Sequence, residues 1–175
     1  MKIIKLTNIG VLLISLIFLV SLSAPSALGQ EKHKTGGTWY GVKTKSESIP
    51  VSDGIKGHML SFVSFKGYGT KLDGSKGVLE SQAVAHLIKM NGTNSGYNYL
   101  RFEDGSTLVK KFEGKITTKP SEPGKPPLVT FEGTWTIVKG TGKYENAVGS
   151  GSYKGRYIGP GIYVNVAEGE YVIKK

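Results

Sequence analysis

The stretch VTFEGTWTIVKGTGKYENAVGSGSYKGRY, residues 129–157, decides the fold. Four apolar residues occupy alternate positions in its first half: Val129, Phe131, Trp135 and Ile137. A period of two gives a β-strand one apolar face and one polar face. Four glycines follow, at positions suited to tight turns between curved strands: Gly140, Gly142, Gly149 and Gly151. The stretch therefore predicts a strand, a glycine-rich turn and a second strand that begins near Ser150.

The same alternation recurs on both sides of this stretch, and no helical pattern interrupts it. It predicts eight strands, at residues 37–45, 58–65, 78–89, 97–102, 107–117, 128–138, 150–158 and 162–173. Short strands in unbroken succession, in a chain with 25 glycines, indicate an antiparallel sandwich or barrel. Eight strands favour an all-β fold, a closed eight-stranded antiparallel β-barrel.

Turn-forming pairs separate the predicted strands. They are Asp53-Gly54, Asp73-Gly74, Asn91-Gly92 and Asp104-Gly105. Both residues of such pairs tolerate left-handed backbone angles, which hairpins require. Around Asp104 a three-residue loop places Leu100 opposite Leu108, and we prefer this register because it keeps the apolar residues on one face. The segment 118–127 contains four prolines and is expected to be a long exposed loop.

The first 29 residues resemble a secretory signal peptide. Lys2 and Lys5 precede an apolar run over residues 9–20, and small residues lead to an expected cleavage after Gly29. An uncleaved anchor is the alternative, although the run is shorter than the roughly 20 residues that span a bilayer. We therefore expect a secreted or periplasmic protein with no membrane association after cleavage, a flexible lead-in over residues 30–36 and one barrel domain over 37–175.

The chain is basic and lacks cysteine. Its formal net charge is +10, and removal of the predicted leader leaves 21 basic and 13 acidic residues, or +8. Scattered lysines are typical of a solvated surface, and polyanion binding is the alternative, without a specific nucleic-acid signal. Stability must come from the core because no disulfide can form.

Four polar residues fall on faces that the alternation places inside the barrel: Asn98, Tyr153, Tyr157 and Glu168. Strict alternation carries Glu168 onto the face of Ile162, Val164 and Val166. A carboxylate on an inward face could act as a general acid or orient a ligand. In the alternative, a bulge at Gly169 turns Glu168 outward, and the tyrosines are core rings. The other charged strand residues considered, Glu80, His86, Glu113 and Glu132, are expected to face water.

Other kinds of site find no support in the sequence. The histidines His33, His58 and His86 are far apart with no second ligand nearby, so we predict no metal site. The chain has no nucleophile elbow, no phosphate-binding loop and no dinucleotide fingerprint. We predict no cofactor and assign no catalytic residue.

The segment GTWTIVKGTGKYENAVGSGSYKG, residues 133–155, resembles the barrel shared by allene oxide cyclases and dirigent proteins. The likeness consists of a strand, a Gly-x-Gly-x-aromatic turn, an Ala-x-Gly-x-Gly bend and a strand beginning at Ser152-Tyr153. The resemblance implies a calycin-like barrel with an apolar cavity, often in a trimer. The cyclases of that family carry an inward cysteine, which this chain lacks, and no catalytic residue is carried over.

A second resemblance concerns Gly37-Thr38-Trp39, which is similar to the Gly-x-Trp signature of lipocalins. There the tryptophan closes the floor of the barrel. Together the residues and resemblances favour a secreted barrel that binds a small apolar or aromatic molecule without established catalysis. The alternatives are a cyclase-like or dirigent-like enzyme that uses Glu168 with Tyr153 or Tyr157, and an interaction protein that binds polyanions.

Overall fold

Eight β-strands follow one another in the computed structural model, which describes residues 31–175. They are β1 (His33–Pro50), β2 (His58–Lys71), β3 (Lys76–Ile88), β4 (Asn91–Phe102), β5 (Thr107–Lys119), β6 (Leu128–Thr141), β7 (Ala147–Gly159) and β8 (Ile162–Ile173). A single 3₁₀ turn, Gly142–Tyr144, lies between β6 and β7. The predicted signal peptide lies outside the described residues. Within residues 31–175, no helix has the length and apolar character needed to cross a membrane.

The strands form a closed antiparallel barrel, which confirms the predicted fold class. Each strand pairs with the next along the chain, and β8 pairs with β1 to complete the ring. Trp39 on β1, for example, lies opposite Asn165 on β8. Closure pairs the backbone groups that an open sheet would leave exposed at its edges.

All eight predicted strands are present, and most are longer than predicted. The largest difference at a strand start is in β4, which begins at Asn91 instead of residue 97. Strand β1 begins at His33, so residues 33–36 of the predicted flexible lead-in are part of the sheet. Thr35 is 2% exposed and pairs with Gly169 on β8. The short polar segment therefore owes its structure to a strand more than 100 residues away.

Two predicted hairpins have opposite outcomes. Leu100 pairs with Leu108, which confirms the three-residue loop around Asp104. The prediction of a turn at Asn91-Gly92 is wrong, because Ile88 pairs with Asn91 and the turn consists of Lys89 and Met90. Both turn residues have positive φ, 50° and 64°, as a two-residue hairpin of this type requires. Pairing along the two long strands has overridden the local preference for Asn-Gly.

The Asp-Gly turns have a common construction. In each, one carboxylate oxygen accepts a hydrogen bond of 3.0 Å from the backbone N–H two residues ahead. The other oxygen contacts a basic side chain, His58, Lys71 and Lys143 for Asp53, Asp73 and Asp104 respectively. The predicted turn role of the aspartates is confirmed, and each turn is also tied to a side chain outside it.

The two ends of the barrel differ. At one end, here called the closed end, Tyr144 from the 3₁₀ turn fills the interior with none of its surface exposed. Its hydroxyl accepts a hydrogen bond of 2.6 Å from Lys71, which also donates to Asp73 at 2.8 Å. Trp39 packs edge-on against Phe102 in the same cluster of core residues. The opposite end, which carries the loops at 51–57, 89–90, 120–127 and 160–161, is here called the open end.

Inward glycines make room for the aromatic core. A Cβ atom at Gly151 or Gly169 would lie 2.5 or 2.6 Å from a ring carbon of Trp135. A Cβ at Gly114 would lie 2.5 Å from the hydroxyl of Tyr153. Real Cβ atoms do not approach other atoms so closely, so these positions require glycine. The high glycine content therefore matches a narrow barrel filled by large rings.

Candidate functional site

The open half of the barrel contains a small internal chamber of about 70 Å³. Its lining combines aromatic rings with amides and hydroxyls: Phe65, Ser81, Ala83, Asn94, Asn98, Phe112, Ile116, Phe131, Tyr153, Tyr157, Tyr163 and Asn165. The side chains nearest the open end, Ile116, Phe131 and Tyr157, are only half-buried. We call this space the outer chamber.

Three polar atoms of this lining are buried without a well-aligned hydrogen-bond partner in the described part of the chain, and two of them belong to the neighbouring residues Asn94 and Tyr153. They are Asn94 Oδ1, Tyr153 Oη and Asn165 Oδ1. An unsatisfied buried polar atom costs about 1–3 kcal/mol, so native proteins contain few of them. Three such atoms around one chamber indicate a binding site for a polar molecule, either water or a ligand.

The phenol groups around the chamber remain protonated at neutral pH. Burial raises the pKa of Tyr153 to about 12 and also raises the pKa values of Tyr157 and Tyr163. A protonated phenol can both donate and accept a hydrogen bond. The chamber therefore offers hydroxyl donors and amide groups, while no carboxylate lines it within residues 31–175.

Three of the four predicted site residues come together here. Asn98, Tyr153 and Tyr157 all line the outer chamber. Tyr153 packs edge-on against Phe112, with ring centroids 5.9 Å apart, so it is also part of the core. Tyr157 lies nearer the open end, edge-on to Phe131 at 5.9 Å.

Glu168 does not join them, because it is exposed on the outer surface of β8. Alternation correctly grouped Glu168 with Ile162, Val164 and Val166, but that face is the outer one. Tyr163 and Ala167 occupy the inner face. Both faces of β8 carry apolar residues, so the pattern identified the two sets without showing which one is buried. The predicted pairing of Glu168 with an inward tyrosine is therefore not present.

The sequence analysis missed Lys110, which is 8% exposed and points into the barrel from β5. Its Nζ lies 3.6 Å from the centroid of the Trp135 ring. A signal was available, because Lys110 alternates with Leu108 and Phe112 on the apolar face of the predicted strand. Lysine is so often a surface residue that its place in this pattern was overlooked.

Lys110 lines a second chamber of about 40 Å³, here called the inner chamber. Asn98, Tyr153, Tyr163 and Asn165 line both chambers, so the two are neighbours along the barrel axis. Trp39, Leu79, Leu100, Trp135 and Ala167 complete the lining of the inner chamber. The closed end lies beyond it.

The prediction that the histidines are far apart is wrong for two of the three, while His33 stacks on Tyr171 at the closed end. His58 and His86 contact each other through their Nε2 atoms on the outer surface of β2 and β3, and Asp53 contacts Nδ1 of His58. In the antiparallel pairing of β2 with β3, Leu60 lies opposite His86. His58 is two residues before Leu60 on the same face of β2, so its ring lies diagonally next to the ring of His86. Within residues 31–175, no group of three or more His, Cys, Asp or Glu side chains has a geometry that could hold a metal ion.

A wide concavity of about 920 Å³ lies on the outer surface of strands β3–β8. Its lining includes the exposed charges Glu113, Lys115, Glu132, Lys154 and Glu168. These groups are solvated and need no partner. Gly114 and Gly133 form part of the floor of this concavity and have no side chains, so Asn94 and Tyr153 also line it. Asn165, the third residue with an unpaired buried atom among those described, lines the interior chambers and not this concavity.

Comparisons with known proteins return little. No family model matches the chain, and no curated protein matches it. One similar solved structure is that of the pterocarpan synthase dirigent protein GePTS1, with a TM-score of 0.45 and 15% identity. The match covers 86% of this chain and 98% of that chain. The likeness is one of fold, at low sequence identity.

Proposed function

We propose that the protein is an exported, dirigent-like barrel that binds a small hydroxylated aromatic molecule through its open end. The observation that carries this proposal is the outer chamber, in which unpaired amide and phenol groups lie among aromatic rings. Export rests on the signal-peptide pattern of residues 1–29. The proposal narrows the predicted small apolar or aromatic ligand to an aromatic one with a hydroxyl group, because a few unpaired polar groups lie within a largely apolar lining.

The size of the chamber limits how the ligand enters. A space of about 70 Å³ is well below the roughly 300 Å³ of a pocket for a drug-sized ligand. It is also below the roughly 150 Å³ of an engineered cavity that admits benzene. We therefore place the hydroxyl end of the ligand inside, against the unpaired amides. The ring lies at the open end against Phe131 and Tyr157.

A matched pair of ligands, phenol and toluene, tests the proposal, because they differ chiefly in the hydroxyl group. We expect phenol to shift the side-chain amide signals of Asn94, Asn98 and Asn165 in NMR spectra of protein expressed from the full chain. Toluene should bind about tenfold more weakly, because one hydrogen bond is worth about 1–1.5 kcal/mol. Equal binding of the two, or no shift of these amides up to the solubility limit, would refute the proposal.

Two variants show where on the protein phenol binds. Asn165→Leu should weaken phenol binding about tenfold by removing one of the amides whose oxygen has no partner among the described residues. Glu168→Gln serves as the matched control, because Glu168 lies on the outer surface and should leave the affinity unchanged. If Glu168→Gln weakened binding and Asn165→Leu did not, the ligand would occupy the outer concavity.

A further inference from the structure

Lys110 is a buried amine without an acidic partner in the described part of the barrel. It projects inward near the start of β5, between Leu108 and Phe112, and is 8% exposed. None of the salt bridges among residues 31–175 involves it. Buried charges in proteins are normally paired, so an unpaired interior lysine needs an explanation.

The other buried lysine, Lys71, shows what a structural role looks like in this barrel. Burial opposes its charge, but the hydrogen bonds to Asp73 and Tyr144 outweigh burial and raise its pKa. Its ammonium group links Tyr144, which fills the closed end, to the turn at Asp73. Lys110 makes no comparable link, and its amine lines a chamber instead.

The surroundings of Lys110 favour the neutral amine. Burial, and then the positive charge of Lys71, lower the pKa of Lys110 to about 7. The face of the Trp135 ring partly stabilises the ammonium form. About half of such an amine is unprotonated at pH 7, compared with less than about 0.1% of an ordinary lysine. Desolvation and a neighbouring cation are the conditions under which lysine becomes a nucleophile.

We propose that Lys110 is a carbonyl-binding site, at which the amine captures a small aldehyde as a reversible imine in the inner chamber. The nitrogen lone pair attacks the carbonyl carbon to give a carbinolamine. Loss of water then forms the C=N bond, so that one aldehyde and one amine give one imine and one water. No oxidant, reductant or further reactant takes part.

Position and size define the class of aldehyde. The inner chamber of about 40 Å³ holds a group of two or three heavy atoms beside Nζ. The shared lining residues place it directly beside the outer chamber, from which the aldehyde would enter. Asn98 and Tyr153, which line both chambers, are placed to hydrogen bond to the carbinolamine oxygen. Small aliphatic aldehydes fit this space better than branched or cyclic ones.

Reductive trapping tests the proposal. Protein expressed from the full chain is incubated with acetaldehyde and sodium cyanoborohydride at pH 7, and the ethylated lysines are located by peptide mass spectrometry over time. We expect Lys110 to react at least tenfold faster than the average exposed lysine. Its rate should rise with pH up to about 7 and then level off, because its amine is already neutral there. Pivaldehyde, which is bulky and branched, should not show this preference.

Two lysine variants provide the matched comparison. Lys110→Met should remove the fast ethylation, whereas Lys111→Met, on the outward face of the same strand, should retain it. Peptide mass spectrometry measures ethylation of Lys110 directly in the wild-type protein, so the test does not depend on how well Lys110→Met folds. The proposal is overturned if Lys110 is ethylated no faster than the surface lysines, or if pivaldehyde labels it equally well. It stands or falls independently of phenol binding, because it concerns another chamber and another reaction.

Discussion

At the scale of single residues, the two buried lysines show how partners decide charge inside a barrel. Lys71 has Asp73 and Tyr144 within hydrogen-bond distance and keeps its proton. Lys110 has no such partner among residues 31–175, and burial, followed by the positive charge of Lys71, lowers its pKa to about 7. The same residue type therefore holds Tyr144 in place at position 71 and provides a partly neutral amine at position 110.

The low pKa of Lys110 predicts how stability depends on pH. Between about pH 7 and pH 10 the unfolded chain holds a proton on this amine that the folded chain does not. The free energy of unfolding should therefore rise with pH above 7, by up to about 1.4 kcal/mol per pH unit. Below pH 7 both states are protonated, and this contribution is constant.

Urea unfolding at pH 7, 8 and 9 measures the effect. Lys110→Met should be more stable than the wild-type protein at pH 7 and should lack this rise, whereas Lys111→Met should retain it. Parallel pH profiles for the wild-type protein and Lys110→Met would show that the amine is protonated in the folded state.

At the scale of elements, strand β7 shows how glycine and aromatic residues share the interior. Gly151 lies beneath Trp135 and against the backbone of Glu168, so it has no space for a methyl group. Gly159, at the open end of the same strand, has its nearest neighbour at 3.8 Å from a built Cβ, which is an ordinary contact. The two positions differ in packing, because neither has the positive φ that demands glycine for conformational reasons alone.

This difference predicts unequal effects of one substitution. Gly151→Ala should destabilise the protein by roughly 1–3 kcal/mol, because overpacking forces the ring and the strand apart. Gly159→Ala should change the stability by less than about 0.5 kcal/mol. Thermal unfolding of the two variants makes the comparison, and equal losses would show that the glycines matter through strand conformation instead of packing.

At the scale of the whole molecule, closure of the barrel joins two clusters of core residues. Trp39 belongs to the cluster that includes Leu108 and Tyr144, and Trp135 belongs to the cluster with Phe112 and Tyr153. Phe131 and Ile137 pack against both clusters. Because β1 and β8 complete the ring, neither cluster can open without breaking the pairing of strands that support the other.

The barrel should therefore unfold as one cooperative unit. In Trp39→Phe the remaining tryptophan reports on the second cluster, and in Trp135→Phe it reports on the first. In each variant we expect the denaturant midpoint from tryptophan fluorescence to equal the midpoint from far-ultraviolet circular dichroism. A fluorescence transition that precedes the loss of strand signal in one variant would show that the corresponding half of the barrel melts separately.

The sequence by itself determined the strands, most of the turns and the number of elements, because alternation and turn-forming residues act over short distances. The alternation also predicted that Asn98, Tyr153 and Tyr157 face the interior, and all three line the outer chamber. Only the tertiary structure decided which face of β8 is buried, because both of its faces are apolar. It also moved the β3–β4 turn to Lys89-Met90 and joined His58 to His86. The charge preference of Lys110 is likewise a tertiary property, since it depends on burial, on Trp135 and on Lys71, which closure of the barrel brings together.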